Sequence, residues 1–315
     1  MSVGPASQAR PKAVRGGLRS RLSLTYWQRD KLSGYIFVAP QFVGFVVFVL
    51  GPIAAVFWYS LHDWTLIQPQ LRWSGSENFQ AILDDRLMPT VAWNSIVFAL
   101  GYVPCTVGLG LLMALALNRA ITGIAIFRTF YFMPVVVSLV AWTIVWRFIL
   151  NTEGVLNATL AQVGIDGPNW LRDPTLAMVS VVAIQILKNA GLSMVLFLAA
   201  LQGVPRDLEE AARVDGAASH QVLRHITLPL ITSFVFLATV LAVITSFKAF
   251  SLIFLTTLGG PGTATTVLAF YIYEEAFRSN APDYASALAS VLFVCVLVLT
   301  IIQFAIRKRW VFYEN

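Results

Sequence analysis

The sequence predicts an all-α membrane protein: six transmembrane helices with one helix-turn-helix loop on the cytoplasmic face. Three observations predict it. First, 57% of the 315 residues are hydrophobic and only 12% charged, a balance that water-soluble domains do not show. Second, the charges are segregated. Uncharged runs cover 32–61, 87–118, 129–146 and 284–306, and two more runs hold a single lysine each, 175–202 around Lys188 and 228–257 around Lys248. Spanning the hydrocarbon core takes about 17 to 25 residues, so each run is long enough to cross. Third, the stretch EEAARVDGAASHQVLRHITLPL, residues 209–230, interrupts the apolar pattern with charged, helix-forming residues.

In chain order, residues 1–31 form a basic arm with seven Lys and Arg, a topology signal that also attracts anionic lipid. Residues 32–315 form the membrane domain, with spans at about 34–61, 90–117, 126–150, 175–202, 228–257 and 284–307. The first apolar stretch is about twice the core of a signal peptide, which runs to about 7 to 15 residues, so it reads as an uncleaved anchor. Residues 63–89, with Trp64, Trp73, Glu77, Asp84 and Asp85, are expected to lie on the outer membrane surface. A second outer segment, 151–174, carries turn signals at Gly154, Asp166-Gly167-Pro168 and Asp173-Pro174.

Sidedness follows from the basic residues, which are retained on the cytoplasmic side. The arm, Arg119, Arg128, Arg206, Arg213, Arg224 and the 307–309 cluster place fifteen on one side, against Arg72, Arg86, Arg172 and Arg278 on the other. Both termini and the 204–227 loop are therefore expected in the cytoplasm. Several function classes drop out. The net charge of +6 is spread along span flanks rather than forming a face interleaved with aromatics, which argues against nucleic acid. Cys105 and Cys295 lie in separate spans without Cys-x-x-Cys spacing, and His62, His220 and His225 do not gather with carboxylates, so neither a disulfide framework nor a metal site nor a catalytic site is predicted. A self-sufficient secondary transporter would be expected to bury carboxylates for proton coupling, and none of the six spans has a central Asp or Glu.

The interrupting loop reads as local structure. Pro205 suits a first helical turn, Asp207, Glu209 and Glu210 complement its positive end, and Leu208, Ala211 and Ala212 give a small apolar face. Asp215-Gly216 supplies a stop at positive φ, and a second short helix then runs through Val222, Leu223 and Ile226 until Pro229 opens the next span. Such a small-residue helix fits a groove on another protein.

The pattern Glu210-Ala211-Ala212, Gly216 four positions on, then Ile226-x-Leu228-Pro229 resembles the EAA loop of binding-protein-dependent ABC importer permeases. Seven fixed positions match by chance on the order of once in 10⁸ placements at average residue frequencies. The resemblance covers nearly the whole chain and points to the carbohydrate-uptake branch, similar to permeases for maltose and for glycerol-3-phosphate. Tyr35-Ile36-Phe37-x-x-Pro40, Gly51-Pro52, Ser60-Leu61-x-Asp63-Trp64, Trp73-x-Gly75-x-x-Asn78-Phe79, Ala200-Leu201-Gln202-x-Val204-Pro205 and Gly259-Gly260-Pro261-Gly262 carry it.

The resemblance implies that Glu210, Ala211, Ala212, Asp215, Gly216, Ile226, Leu228 and Pro229 form a coupling helix and its turn, docking into a cleft on an ATPase. It also implies a second homologous permease, two ATPase subunits and an extracytoplasmic binding protein. No Gly-x-x-x-x-Gly-Lys-Ser/Thr loop occurs in the chain, so no cofactor is expected on it, and ATP with Mg belongs to the ATPase subunits. The substrate path is expected where polar groups stand at mid-membrane, because an unpaired charge there costs at least about 2.5 to 3.5 kcal/mol. Lys188 and Asn189 of the fourth span and Ser246, Lys248 and Ser251 of the fifth fit, with Phe247 and Phe250 as apolar faces for a sugar ring. Either lysine could instead pair with a helix-end carbonyl. If both met substrate, two cations would favour a phosphorylated or acidic ligand. Arg147 reads as an interfacial anchor.

Overall fold

The computed structural model describes residues 26–67, 70–119 and 121–310, so all but six residues of the predicted basic arm lie outside the described residues. Residues up to 55 form one unit and those from 56 onward another. In the first, α1 (Tyr26–Phe45) passes through a π-helical turn (Val46–Leu50) into α2 (Gly51–Tyr59), whose last turn belongs to the second unit. The wider turn precedes Pro52, where the missing N–H removes a rung of the helical ladder.

The second unit departs from an all-helical chain at one point. Two-residue strands β1 (His62–Asp63) and β2 (Arg72–Trp73) pair antiparallel, His62 opposite Trp73. The Trp73-x-Gly75-x-x-Asn78 motif explains the pairing. Gly75, at φ +62°, turns the chain back so that its N–H reaches the Leu61 carbonyl at 3.1 Å, and Asn78 Nδ2 donates to the carbonyls of Ser60 and His62 at 3.1 and 3.2 Å. Helix α3 (Glu77–Asp84) and the long α4 (Met88–Leu117) follow.

The third span, expected as one helix over 126–150, is instead α5 (Ile124–Val136) and α6 (Leu139–Ile149), bent by 100° at their junction. A short α7 (Val155–Ala161) leads to α8 (Leu176–Gln202), the most enclosed of the long helices. Close helix approach explains that enclosure: a side chain at Gly110 of α4 would collide with Ser193 of α8, and one at Gly191 of α8 with the Tyr131 carbonyl of α5. The loop contains α9 (Arg206–Val214) and α10 (Ser219–Val222). The fifth span does not open at Pro229. A π turn (Leu223–Thr227) and α11 (Leu228–Leu230) continue α10 through that proline, and the 66° bend comes at Ile231, whose buried side chain packs in one cluster with Leu117, Phe197 and Leu201. Beyond it run α12 (Thr232–Phe247) and, after a break at Lys248-Ala249, α13 (Phe250–Thr256). Helix α14 (Leu268–Tyr273), a π turn (Glu274–Arg278) and α15 (Pro282–Trp310) complete the described chain.

Among the described residues four helices are long and apolar enough to cross a membrane, or six spans if each bent pair is counted as one. One apolar cluster, around Leu117, Phe197 and Ile231, underlies the 204–227 loop; another, around Ile82, Val91, Leu268 and Leu288, closes the far end; the largest, around Phe98, Tyr102, Ile184, Ile253 and Phe270, joins α4, α8 and α13.

Candidate transport path and coupling loop

At the loop, Gly216 has φ +87° and ends α9 in a Schellman turn: its N–H meets the Arg213 carbonyl at 3.1 Å and the Ala217 N–H meets the Ala212 carbonyl at 2.9 Å. The start of α10 is closed by Gln221, whose side chain accepts from the Ala218 N–H at 2.8 Å. The two arms are tied by Glu209, which accepts from the Thr227 hydroxyl at 2.9 Å and pairs with Arg213 at 3.5 Å. Sequence reasoning gave Glu209 only a dipole role; its (i, i+4) relation to Arg213 was the available signal. Glu210 and Ala211 face solvent and Ala212 is half-buried, while Leu208, 45% exposed, and Val214, 87% exposed, extend Ala211 into an apolar stripe. Asp215 and Gly216 border a recess with Gln221, His225 and Ile226. Leu228 packs on the core beneath, and the Pro229 carbonyl accepts from the Thr232 hydroxyl at 2.7 Å.

Of the candidate path residues, several are occupied within the chain. Lys188 Nζ donates to the carbonyls of Pro134 and Val137 at 2.8 and 2.7 Å, filling the end of α5 where the third span breaks, and its ammonium stands 6.0 Å from the Trp142 ring. The helix-end pairing, rather than an open cation, is what this position holds. Asn189 Nδ2 donates to the Tyr102 hydroxyl at 2.7 Å, the Ser246 hydroxyl is buried and bonds the Val243 carbonyl at 2.7 Å, and Phe250 joins an aromatic group with Phe254, Phe270 and Tyr273. Lys248 and Ser251 remain exposed at the second break and Phe247 is half-buried.

The far end contains fastenings that sequence reasoning did not assign. Asn94 donates to the carbonyls of Thr263 and Thr266 at 2.7 and 3.1 Å, and Ser95 accepts from the Leu268 N–H at 2.8 Å, so α4 holds the turn after α13. Asp85 accepts from the hydroxyls of Tyr271 and Tyr284 at 2.7 and 2.8 Å. Burial pushes the Asp85 carboxyl up, but hydrogen bonds from Tyr271, the Leu87 N–H, Tyr284 and the Met88 N–H together hold it below the usual carboxylate range. A cavity of about 890 Å³ opens beside α6 and α13, lined by Arg147, Arg172, Asn151, Asn169, Thr257 and Phe254 among others. Arg147 is more than an anchor there, since its guanidinium also donates to the Leu255 carbonyl at 3.3 Å. No sequence periodicity marks residues contributed by three separate segments.

Bent spans around an enclosed helix, with an exposed helix-turn-helix at one end, describe a membrane transport subunit. Residues 106–311 match the model of the family described as binding-protein-dependent transport system inner membrane component, and the chain belongs to that family. Across 298 residues it is 34% identical to a probable ABC transporter permease of Bacillus subtilis strain 168, covering 91% of this chain and 94% of that one. It is 32% identical over 285 residues to the lactose transport system permease protein of Rhizobium radiobacter, covering 88% and 95%. In fold it is similar to a chain of a bacterial alginate ABC transporter solved with its pentasaccharide-bound periplasmic protein, with TM-score 0.79 and 23% identity over 89% of this chain and 95% of that one. It is thus an ABC importer permease, a pore-forming membrane subunit and not an enzyme.

Proposed function

We propose that this chain is one of two homologous permeases that pass a carbohydrate from an extracytoplasmic binding protein into a prokaryotic cell. Two ATPase subunits, holding ATP and Mg, drive the cycle from the cytoplasmic face. The 204–227 loop is the coupling element, both termini share its side, and the far end faces outward. The observation that carries the reading is the Gly216 turn: a left-handed residue locks α9 so that Glu210, Ala211 and Val214 stand out from the surface while Glu209 is turned inward to Thr227. A short helix with an apolar stripe and an exposed carboxylate midway along it is built to enter a cleft on a soluble partner. The lactose-transport relative supports the sugar class.

The test exchanges two residues in the complete transporter. Gly216→Val forces a β-branched residue to positive φ and is expected to abolish ATP-driven sugar uptake while the chain still inserts. Glu210→Ala is expected to lower ATPase copurification, by little if the carboxylate's partner is exposed and by more if the contact is dry. Normal uptake and normal ATPase attachment in both variants would return the loop to the role of a surface linker.

A further inference from the structure

The cavity beside α6 and α13 has a one-sided charge. Arg147 and Arg172 both line it and both are exposed, yet no Asp or Glu is among its lining residues. The nearest carboxylates in sequence are directed elsewhere. Asp173 accepts from the N–H groups of Thr175 and Leu176 at 2.8 and 3.0 Å, capping the start of α8. Glu153 lines a separate recess together with Asp166. The two ion pairs found among the described residues, Arg213 with Glu209 and Arg278 with Glu274, involve neither arginine.

The remaining lining suits a sugar. Asn169 and the amide nitrogen of Asn151 offer hydrogen bonding, the Thr257 hydroxyl is shared with Thr265 at 2.7 Å, and Phe254 offers an apolar face. Phe254 also connects the cavity to the break in the fifth span, because it sits one turn from Phe250 with ring centroids 5.5 Å apart, and the exposed Lys248 lies just before that turn. Lys248 is not among the cavity's lining residues and stands exposed at the break before α13.

We infer that this cavity is an outer vestibule selective for an anionic saccharide, a uronate-bearing or phosphorylated sugar, which Arg147 and Arg172 draw in and Phe254 hands to the span below. The inference rests on the importer reading above and gives its substrate class. A concave site with one sign of charge raises the local concentration of the opposite ion, and guanidinium groups suit both carboxylate and phosphate.

The experiment uses the complete transporter in nanodiscs, nucleotide-free and without its binding protein. Equilibrium binding is measured for a uronate trisaccharide, a hexose phosphate and a neutral trisaccharide, each at low and high salt. Either anionic probe is expected to bind more tightly than the neutral one, with the advantage shrinking at high salt because exposed charges are screened beyond roughly 10 Å at 0.1 M. The uronate and phosphate arms show which anion is preferred. Arg147→Gln and Arg172→Gln are each expected to weaken anion binding by about two- to fivefold, the size of an exposed ion pair, with neutral binding unchanged and Arg147→Lys restoring part of the loss. Equal binding of neutral and anionic probes, or anion binding indifferent to both arginines, overturns the vestibule. A separate titration of the binding protein onto the same nanodiscs completes the test: weaker docking in the variants with saccharide binding unchanged overturns the vestibule and makes the surface a protein dock. ATP-driven uptake separates this failure from failure of the importer reading: neutral-sugar uptake without charge preference overturns the vestibule alone, whereas absence of uptake of every saccharide removes the sugar reading itself.

Discussion

The third and fifth spans both break in mid-course beside a lysine, and the chain treats the two breaks oppositely. At the junction of α5 and α6 the polar backbone ends are met from within: Lys188 reaches across from α8 to two carbonyls, and Trp142 Nε1 donates to the Ile184 carbonyl at 3.2 Å, pinning α6 to the same helix. At the junction of α12 and α13 the backbone closes on itself, the Phe250 N–H reaching the Lys248 carbonyl at 2.8 Å, and the Lys248 side chain stays exposed. Freed backbone groups at membrane depth persist only where protein or a wet cavity receives them. The first break is therefore a braced corner, and the second leaves its lysine exposed and without such a brace.

The largest effect that could break this contrast belongs to Lys188→Met. It keeps the aliphatic stem and removes the donor, leaving two carbonyls without a partner at roughly 1 to 3 kcal/mol each. The variant is expected to lose thermal stability and folded yield even without substrate, while Lys188→Arg retains part of both. Thermal unfolding in detergent with fluorescence detection reads this directly. A Lys188→Met protein as stable as wild type would mean that the corner does not need its brace and that both lysines belong to one class.

The contrast was only partly legible in the sequence. Apolar runs mark the third and fifth segments as long enough to cross, because span length is a sum over residues and survives small errors in boundary. A bend is different: it depends on which donors stand near one carbonyl, and the residue that supplies them at Pro134 and Val137 is some fifty positions away in α8. The Lys188 and Lys248 side chains are identical in sequence terms, both lone cations in apolar runs. Nothing local distinguishes brace from free group. Gly216 was legible for the opposite reason, since positive φ is a one-residue property that glycine alone satisfies cheaply. The far-end fastenings at Asn94 and Asp85 stayed hidden, as their partners are backbone carbonyls and tyrosines about 170 to 200 positions distant.

A smaller effect sharpens the comparison from the far end, where Asp85 ties α14 to the start of α15. Its folded pKa is depressed by hydrogen bonds that outweigh its burial, so its contribution is fully present above the usual carboxylate range and lost as pH falls through the lower folded value. Asp85→Asn retains one acceptor oxygen and is expected to cost about 1 kcal/mol, near the low end for a charged acceptor because part of the group is open to solvent. The loss should be seen near neutral pH and fade in strong acid, where wild type loses the same contribution. Unfolding midpoints of the two proteins across acid pH test it, and a constant gap down to the lowest pH would show that the charge of Asp85 is not what ties α14 to α15.

Smallest in stability, and most informative about the path, is Lys248→Met. An exposed lysine that completes no helix end should shift stability by no more than about 0.5 kcal/mol either way, because surface substitutions away from caps and cores do little else. Transport should respond nonetheless. If a ligand passes the break between α12 and α13, the ammonium adds an attraction of exposed-pair size, and its removal lowers kcat/KM for an anionic sugar by about two- to fivefold with assembly unaltered. Because that contact would exist in the bound ground state as well as during passage, the change should fall on KM rather than kcat. Lys248→Met with unchanged transport across the substrate range would remove the second break from the path, and a large stability loss would make Lys248 a brace like Lys188.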